Sequence, residues 1–179
     1  MASGFKKVVA IDAHSDFDKK SFPIPLISVS SASLFAKDIK DGKDFAVIAP
    51  DYGAIKRARS FARTIGSRKF GYFNKIRSNN GAKHLEFHGG AGRRAAVVDD
   101  MLDTGSTLIS CVSKLKKMGV KDIRIFVAHG LFTGDKWTKL FKLGVQKIYC
   151  ADTVIPPKIS AKIAVRSVAG LISDSISGR

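Results

Sequence analysis

Short apolar runs alternate along this chain with segments whose apolar residues recur every three or four positions. Lys7-Val8-Val9-Ala10-Ile11 and Phe45-Ala46-Val47-Ile48-Ala49 have the length and continuity of buried strands. The second run closes on Pro50-Asp51-Tyr52-Gly53, where Pro and Gly punctuate. Lys69–Phe73, Ala95–Val98, Asp122–Ala128, Val145–Cys150 and residues 162–166 read as further strands. Between them the pattern predicts helices over 32–41, 54–65, 106–118 and 135–143, and another from Ser167. Gly42, Gly66 and Gly119 are placed to stop the first three. Residues 74–92 contain Asn79-Asn80-Gly81 and Gly89-Gly90 and show no clear period, which predicts a long loop. Strands separated by helices imply a mostly parallel sheet with helices on both faces. The prediction is one α/β domain over residues 1–179.

Composition narrows the class. At 45% apolar and 26% charged residues the chain is globular rather than disordered or fibrous. No apolar run approaches the roughly 20 residues that cross a bilayer. Met1–Lys7 lack the apolar core of a secretory signal. Cys111 and Cys150 have no metal-ligand spacing and fit a reducing compartment. The expectation is an intracellular protein, cytoplasmic or mitochondrial, without membrane contact.

Charge adds a partner class. Lys and Arg total 31 against 15 Asp and Glu, for a net charge of +16. Residues 1–51 balance seven Lys against seven Asp, whereas residues 52–98 set eleven basic residues against Glu86 alone. Such a block attracts phosphate-bearing partners, either a small phosphorylated substrate or RNA.

The sharpest chemical signal is Val97-Val98-Asp99-Asp100-Met101-Leu102-Asp103-Thr104-Gly105-Ser106-Thr107-Leu108. A buried strand delivers two adjacent carboxylates to the sheet edge. Gly105 lets backbone approach a ligand, and hydroxyls with free N–H groups follow at a helix start. Thr104, Ser106, Thr107 and those N–H groups suit a phosphate. Asp99 and Asp100 suit sugar hydroxyls or, through water, Mg²⁺. His129 has no dyad partner nearby and reads as structural, and Cys111 as a packed helix residue.

This segment resembles the phosphoribosyl-pyrophosphate (PRPP) motif of the type I phosphoribosyltransferase fold. The resemblance implies that Asp99 and Asp100 contact the ribose 2- and 3-hydroxyls. Asp103, Thr104, Gly105, Ser106 and Thr107 would form the 5-phosphate loop. Other segments resemble the ribose-phosphate pyrophosphokinases, or PRPP synthetases. They are Ile11-Asp12-Ala13-His14, Ala49–Ala58, Phe73-Asn74-Lys75-Ile76-Arg77, Ala128–Gly134 and Ala151–Pro156. That resemblance implies a role for His14 and Asp51 in holding Mg²⁺ with ATP, and for Lys75 and Arg77 in steadying the transferring phosphates. It also implies an oligomer, homomeric or heteromeric. Ala54 stands where the family usually has a second glycine. Only the end of the first domain and the second domain of a full synthetase find counterparts, which implies that the amino-terminal half is absent.

Three readings follow. The first is a PRPP-synthetase-like protein that transfers the diphosphate of Mg-ATP to ribose 5-phosphate, alone or with a partner subunit. The second is a compact nucleobase phosphoribosyltransferase that consumes PRPP. The third is a recruited non-catalytic subunit that binds RNA through its basic surface, for example in an organellar ribonucleoprotein.

Overall fold

The structure, a computed structural model, describes residues 4–13, 22–77, 83–155 and 160–177; of Arg77, Lys83 and His84 it describes the backbone alone. Strands β1 (Val8–Ile11) and β2 (Leu26–Val29) pair in parallel as a small separate sheet. The main sheet has seven strands: β3 (Phe45–Ala49), β4 (Lys69–Arg77), β5 (Lys83–Gly89), β6 (Arg94–Leu102), β7 (Asp122–Gly130), β8 (Val145–Ala151) and β9 (Ile163–Arg166). Their spatial order is β5-β4-β3-β6-β7-β8-β9, and every neighbouring pair is parallel except β4–β5.

Helices cover both faces, as the alternating pattern predicts. Helix α1 (Ala32–Ala36), α2 (Ile55–Thr64) and α5 (Ala169–Ser177) lie on one face. Phe126 fills the centre there, its ring 5.0 Å from Phe61 and 4.7 Å from Tyr149. Helix α3 (Ser106–Lys117) and the short α4 (Lys139–Lys142) pack Leu108, Cys111, Leu115 and Leu140 against the other face. All five residues of β3 are buried, which explains its unbroken apolar run.

The chain leaves β3 through α2 toward β4 on one side, and leaves β6 through α3 toward β7 on the other. Adjacent strands whose connections diverge in this way open a crevice beyond their carboxyl ends. The topology therefore makes the space between the end of β3 and the end of β6 the candidate ligand site.

Helix α3 ends in a Schellman turn. Gly119 N–H donates to the Lys116 carbonyl at 3.0 Å, and Val120 N–H donates to the Leu115 carbonyl at 3.1 Å. Gly119 has φ +86°, with open space where a Cβ would sit. Gly119→Ala is expected to cost about 1 kcal/mol from backbone strain alone, read as a lower denaturation midpoint with unchanged m-value.

The sequence reading of 74–92 as a loop is corrected. Strand β4 continues to Arg77 and pairs in antiparallel register with β5, Phe73 facing Phe87 and Lys75 facing Leu85. Apolar residues alternate there, Phe73, Leu85 and Phe87 facing one core and Phe70 and Tyr72 the other, while β5 lies at the sheet edge. Three smaller departures accompany it. Strand β2 had no sequence prediction. The helix expected over 32–41 stops at Ala36. The one expected over 135–143 divides into a 3₁₀ turn (Lys136–Thr138) and α4.

Candidate functional site

The crevice is a cavity of about 280 Å³, and its lining draws on three segments: the β3–α2 turn, the end of β6, and the loop into α3. Asp51, Asp99, Asp100, Asp103, Thr104, Gly105, Ser106 and Thr107 all border it. The sequence already brings the acid pair and the loop from Asp103 to Thr107 together, and the fold adds Asp51 from a separate strand end.

Strand β6 carries its acids inside the strand rather than after it, since it extends to Leu102. Asp100 N–H donates to Asp99 Oδ1 at 2.9 Å, and Met101 N–H donates to Asp100 Oδ1 at 2.8 Å. These bonds fix both carboxylates at the crevice. Burial first, then the neighbouring charges of Asp100 and Asp51, push the Asp99 carboxyl from 3.8 up to about 7. Three acids thus share a site that holds more negative charge than its solvation supports.

Arg57 is the partial remedy. Its guanidinium lies 3.3 Å from Asp100 Oδ2 and 3.9 Å from Asp99 Oδ1, with its side chain 13% exposed. The sequence reading did not single it out as a site residue. A signal was present: Ala54, Ala58, Phe61, Ala62 and Ile65 form the inward stripe of α2, and Arg57 falls on that stripe. A cation placed there must be buried, and a buried cation requires partners.

The loop from Asp103 to Thr107 is built around Gly105, at φ +81°, which precedes α3 as its cap. A Cβ on Gly105 would sit 3.1 Å from the Trp137 Cα, a tight contact added to the strain of a left-handed backbone, and both favour glycine. No side chain caps the first turn of α3. A helix start leaves its first N–H groups without intrahelical partners, and Gly105, Ser106 and Thr107 at this start border the cavity. Thr104 Oγ1 and Ser106 Oγ are 3.2 Å apart. Lys136 Nζ donates to Ser106 Oγ at 2.9 Å, bringing an ammonium onto the loop. Trp137 anchors that lysine: its ring packs 4.9 Å from Phe132, and its indole N–H donates to the Gly134 carbonyl. Nothing local in the sequence marks Lys136, because its partner lies 30 positions away.

Asp51 Oδ1 accepts from the Ala54 N–H at 3.2 Å, which uses one oxygen on the turn and leaves the group at the cavity wall. Lys75 is exposed on β4 and borders a neighbouring cavity that shares Ser106 and Thr107. Arg77 closes β4, but its side chain lies outside the described residues, and so does His14. No cluster of three metal-ligating side chains occurs among the described residues.

Nearby residues that resemble family segments have structural partners. Asp12, at φ +42°, accepts from the backbone N–H and the hydroxyl of Ser31, which fixes the start of α1. His129 Nε2 faces the Ile11 carbonyl at 3.1 Å, so it carries the proton and donates. Its Nδ1 lies 2.8 Å from Thr153 Oγ1. His129 thus ties β1 to β7 and to the exit of β8, the structural role expected of it. Cys111 is buried in the α3 core, and burial pushes its thiol well above the ordinary range.

Comparison with known proteins agrees with this geometry. The Phosphoribosyl transferase domain family matches residues 23–142. The ribose-phosphate pyrophosphokinase of Thermosipho africanus is 29% identical across 97% of this chain and 57% of its own length. That of Caldanaerobacter subterraneus subsp. tengcongensis is 31% identical across 98% and 57%. The chain spans a little over half the length of these relatives. Among solved structures, phosphoribosylpyrophosphate synthetase from Mycobacterium smegmatis superposes with a TM-score of 0.82 at 24% identity. The match covers 98% of this chain and 59% of that one. Orotate phosphoribosyltransferase from Aeropyrum pernix follows at TM-score 0.53 and 19% identity, over 83% and 75%. With the acid pair, the glycine-bearing loop and the divergent crevice in place, the chain belongs to the phosphoribosyl transferase domain family.

Proposed function

We propose that this chain binds ribose 5-phosphate in the crevice and, alone or with a partner subunit, transfers the diphosphate of ATP to its anomeric hydroxyl. One observation carries this reading: the Asp99–Asp100 pair and the Asp103–Thr107 loop line a single cavity with Asp51. The vicinal sugar hydroxyls donate to the acid pair, and the 5-phosphate accepts from the α3 N–H groups, the loop hydroxyls and Lys136. The anomeric oxygen bonds to the β-phosphorus of ATP, the bond to the α,β-bridging oxygen breaks, AMP leaves and the hydroxyl proton is released.

Catalysis of this kind is positioning plus neutralisation of phosphate charge. Lys75 stands at the hairpin beside the loop, and Arg77 follows two residues later on the same strand. Both are proposed to meet the transferring phosphates.

The donor set fits Mg²⁺. Mg²⁺ keeps several waters and takes one or two carboxylates together with substrate phosphates, so a three-residue cage is not required. Asp51, opposite the acid pair, would hold it, with His14 as the family resemblance implies. When bound, Mg²⁺ would neutralise charge on the phosphates. The excess negative charge that raises Asp99 favours a cation here.

The test is product analysis by mass spectrometry after incubation with ribose 5-phosphate, ATP and Mg²⁺. PRPP and AMP are the expected products. PRPP absent here, but consumed with a nucleobase in a second incubation, would replace this reading with a transferase.

The loop lysine gives an independent check. Lys136→Ala is expected to raise the Kd for ribose 5-phosphate about tenfold, one charge-assisted hydrogen bond, while leaving any affinity for unphosphorylated ribose unchanged. Isothermal titration with both sugars reads the difference.

A further inference from the structure

A second cavity, of about 590 Å³, lies between the β4–β5 hairpin and α3, on the far side of the phosphate loop. Its chemistry is the opposite of the acid crevice. Lys75, Lys114 and Lys117 border it, and no carboxylate does. Ser106, Ser110, Ser113 and Lys117 succeed one another at helical spacing, so one stripe of α3 forms a wall of hydroxyls and ammonium groups. From Ser106 to Lys117 that stripe runs ~16 Å at about 1.5 Å per residue, a track rather than a spot. Leu85 and Ile109, both half-buried, supply an apolar floor.

Lys114 and Lys117 have no role in the proposed chemistry, and Lys75 is shared with it. Arg57, Arg94, Arg124 and Arg166 carry ion pairs to aspartates. Lys75, Lys114 and Lys117 make none among the described residues and are exposed. With 31 basic residues against 15 acids, the chain carries far more positive charge than one sugar phosphate needs.

We infer that this groove binds single-stranded nucleic acid, with backbone phosphates along the lysine and serine stripe of α3 and base faces against Leu85 and Ile109. An extended strand suits the elongated track, and unstacked bases offer the apolar faces that a duplex hides. The groove shares Lys75, Ser106 and Thr107 with the proposed chemistry, but Lys114 and Lys117, which carry the test, do not line the acid crevice. The structure also divides the basic block of 52–98: Lys75 faces this groove, whereas Lys56 and Arg63 lie exposed on α2, across the sheet.

The experiment is fluorescence anisotropy with labelled oligouridylate and the matching oligothymidylate, titrated with the full chain at 50–200 mM salt. Each phosphate neutralised on a single strand contributes about −0.7 to the slope of log K against log salt. Three lysines predict a slope near −2, or about a twentyfold loss of affinity over that range. Lys114→Gln with Lys117→Gln should leave a slope of about −0.7, whereas Lys56→Gln with Arg63→Gln, which removes equal charge, should leave it near −2. Equal effects from the two double variants would show net charge rather than a groove and overturn the inference. So would absence of binding.

Discussion

Replacing Asp99 and Asp100 together by asparagine is expected to lower affinity for ribose 5-phosphate by about 10²–10⁴-fold. Each carboxylate is proposed to accept a hydroxyl hydrogen bond in a mostly buried site, and a hydrogen bond to a charged partner there is worth about 1.5–3 kcal/mol. Asparagine keeps the shape and one acceptor but removes the charge. The double variant also strips Arg57 of its nearest carboxylates, and a buried cation without partners is itself destabilising. Asp99→Asn alone separates the two effects, because the 3.3 Å contact between Arg57 and Asp100 survives. It should fold and still lose at least tenfold in affinity. The wild-type chain should bind the sugar more tightly as pH rises through 7, where Asp99 gains its charge. Titration calorimetry at pH 6 and 8 reads both outcomes, and a double variant that binds like wild type would remove the acid pair from the proposed site.

How much of this site the sequence discloses depends on how local each contact is. The run from Val97 to Leu108 is strand, acid pair, turn and helix start in one unbroken stretch, so its chemistry is legible without a fold. Asp51 is legible as a strand-end acid, but its meeting with Asp99 and Asp100 follows only once β3 and β6 are neighbours. Arg57 is half-legible, as a charge on an apolar helical stripe. Lys136 is not legible, because it reaches Ser106 only after Trp137 is packed against the loop glycine.

The fold divides in the same way. Strands buried on both faces, β3 and most of β6, show as continuous apolar runs. The β4–β5 hairpin lies at the sheet edge, where one neighbour is solvent and polar residues interrupt the period. Glycines flank that hairpin too, which made strand ends resemble a loop. Chain breaks at Gly66 and Gly119 are legible because a Schellman turn requires a left-handed residue whatever the tertiary setting.

Asp99→Asn should also make the protein more stable above neutral pH, by an amount that vanishes in acid. In the unfolded chain Asp99 releases its proton at its ordinary value of 3.8, whereas in the folded chain it holds the proton until about 7. Between those values the folded state binds more protons, so wild-type stability falls as pH rises through that window. Well below 3.8 the carboxyl is neutral in both states and costs nothing. Above pH 7 it is charged in both, and the full penalty of burying it beside Asp100 and Asp51 is present. Asparagine carries no such penalty, and the gain at pH 8 should be on the order of 2–4 kcal/mol. Denaturant midpoints at pH 4, 6 and 8 should therefore separate progressively from those of wild type. Equal midpoints at pH 8 would mean that Arg57 already offsets the third carboxylate. The same substitution is expected to weaken the proposed sugar site, so stability and binding should move in opposite directions. That opposition is expected where like charges are held together for a ligand or cation to relieve.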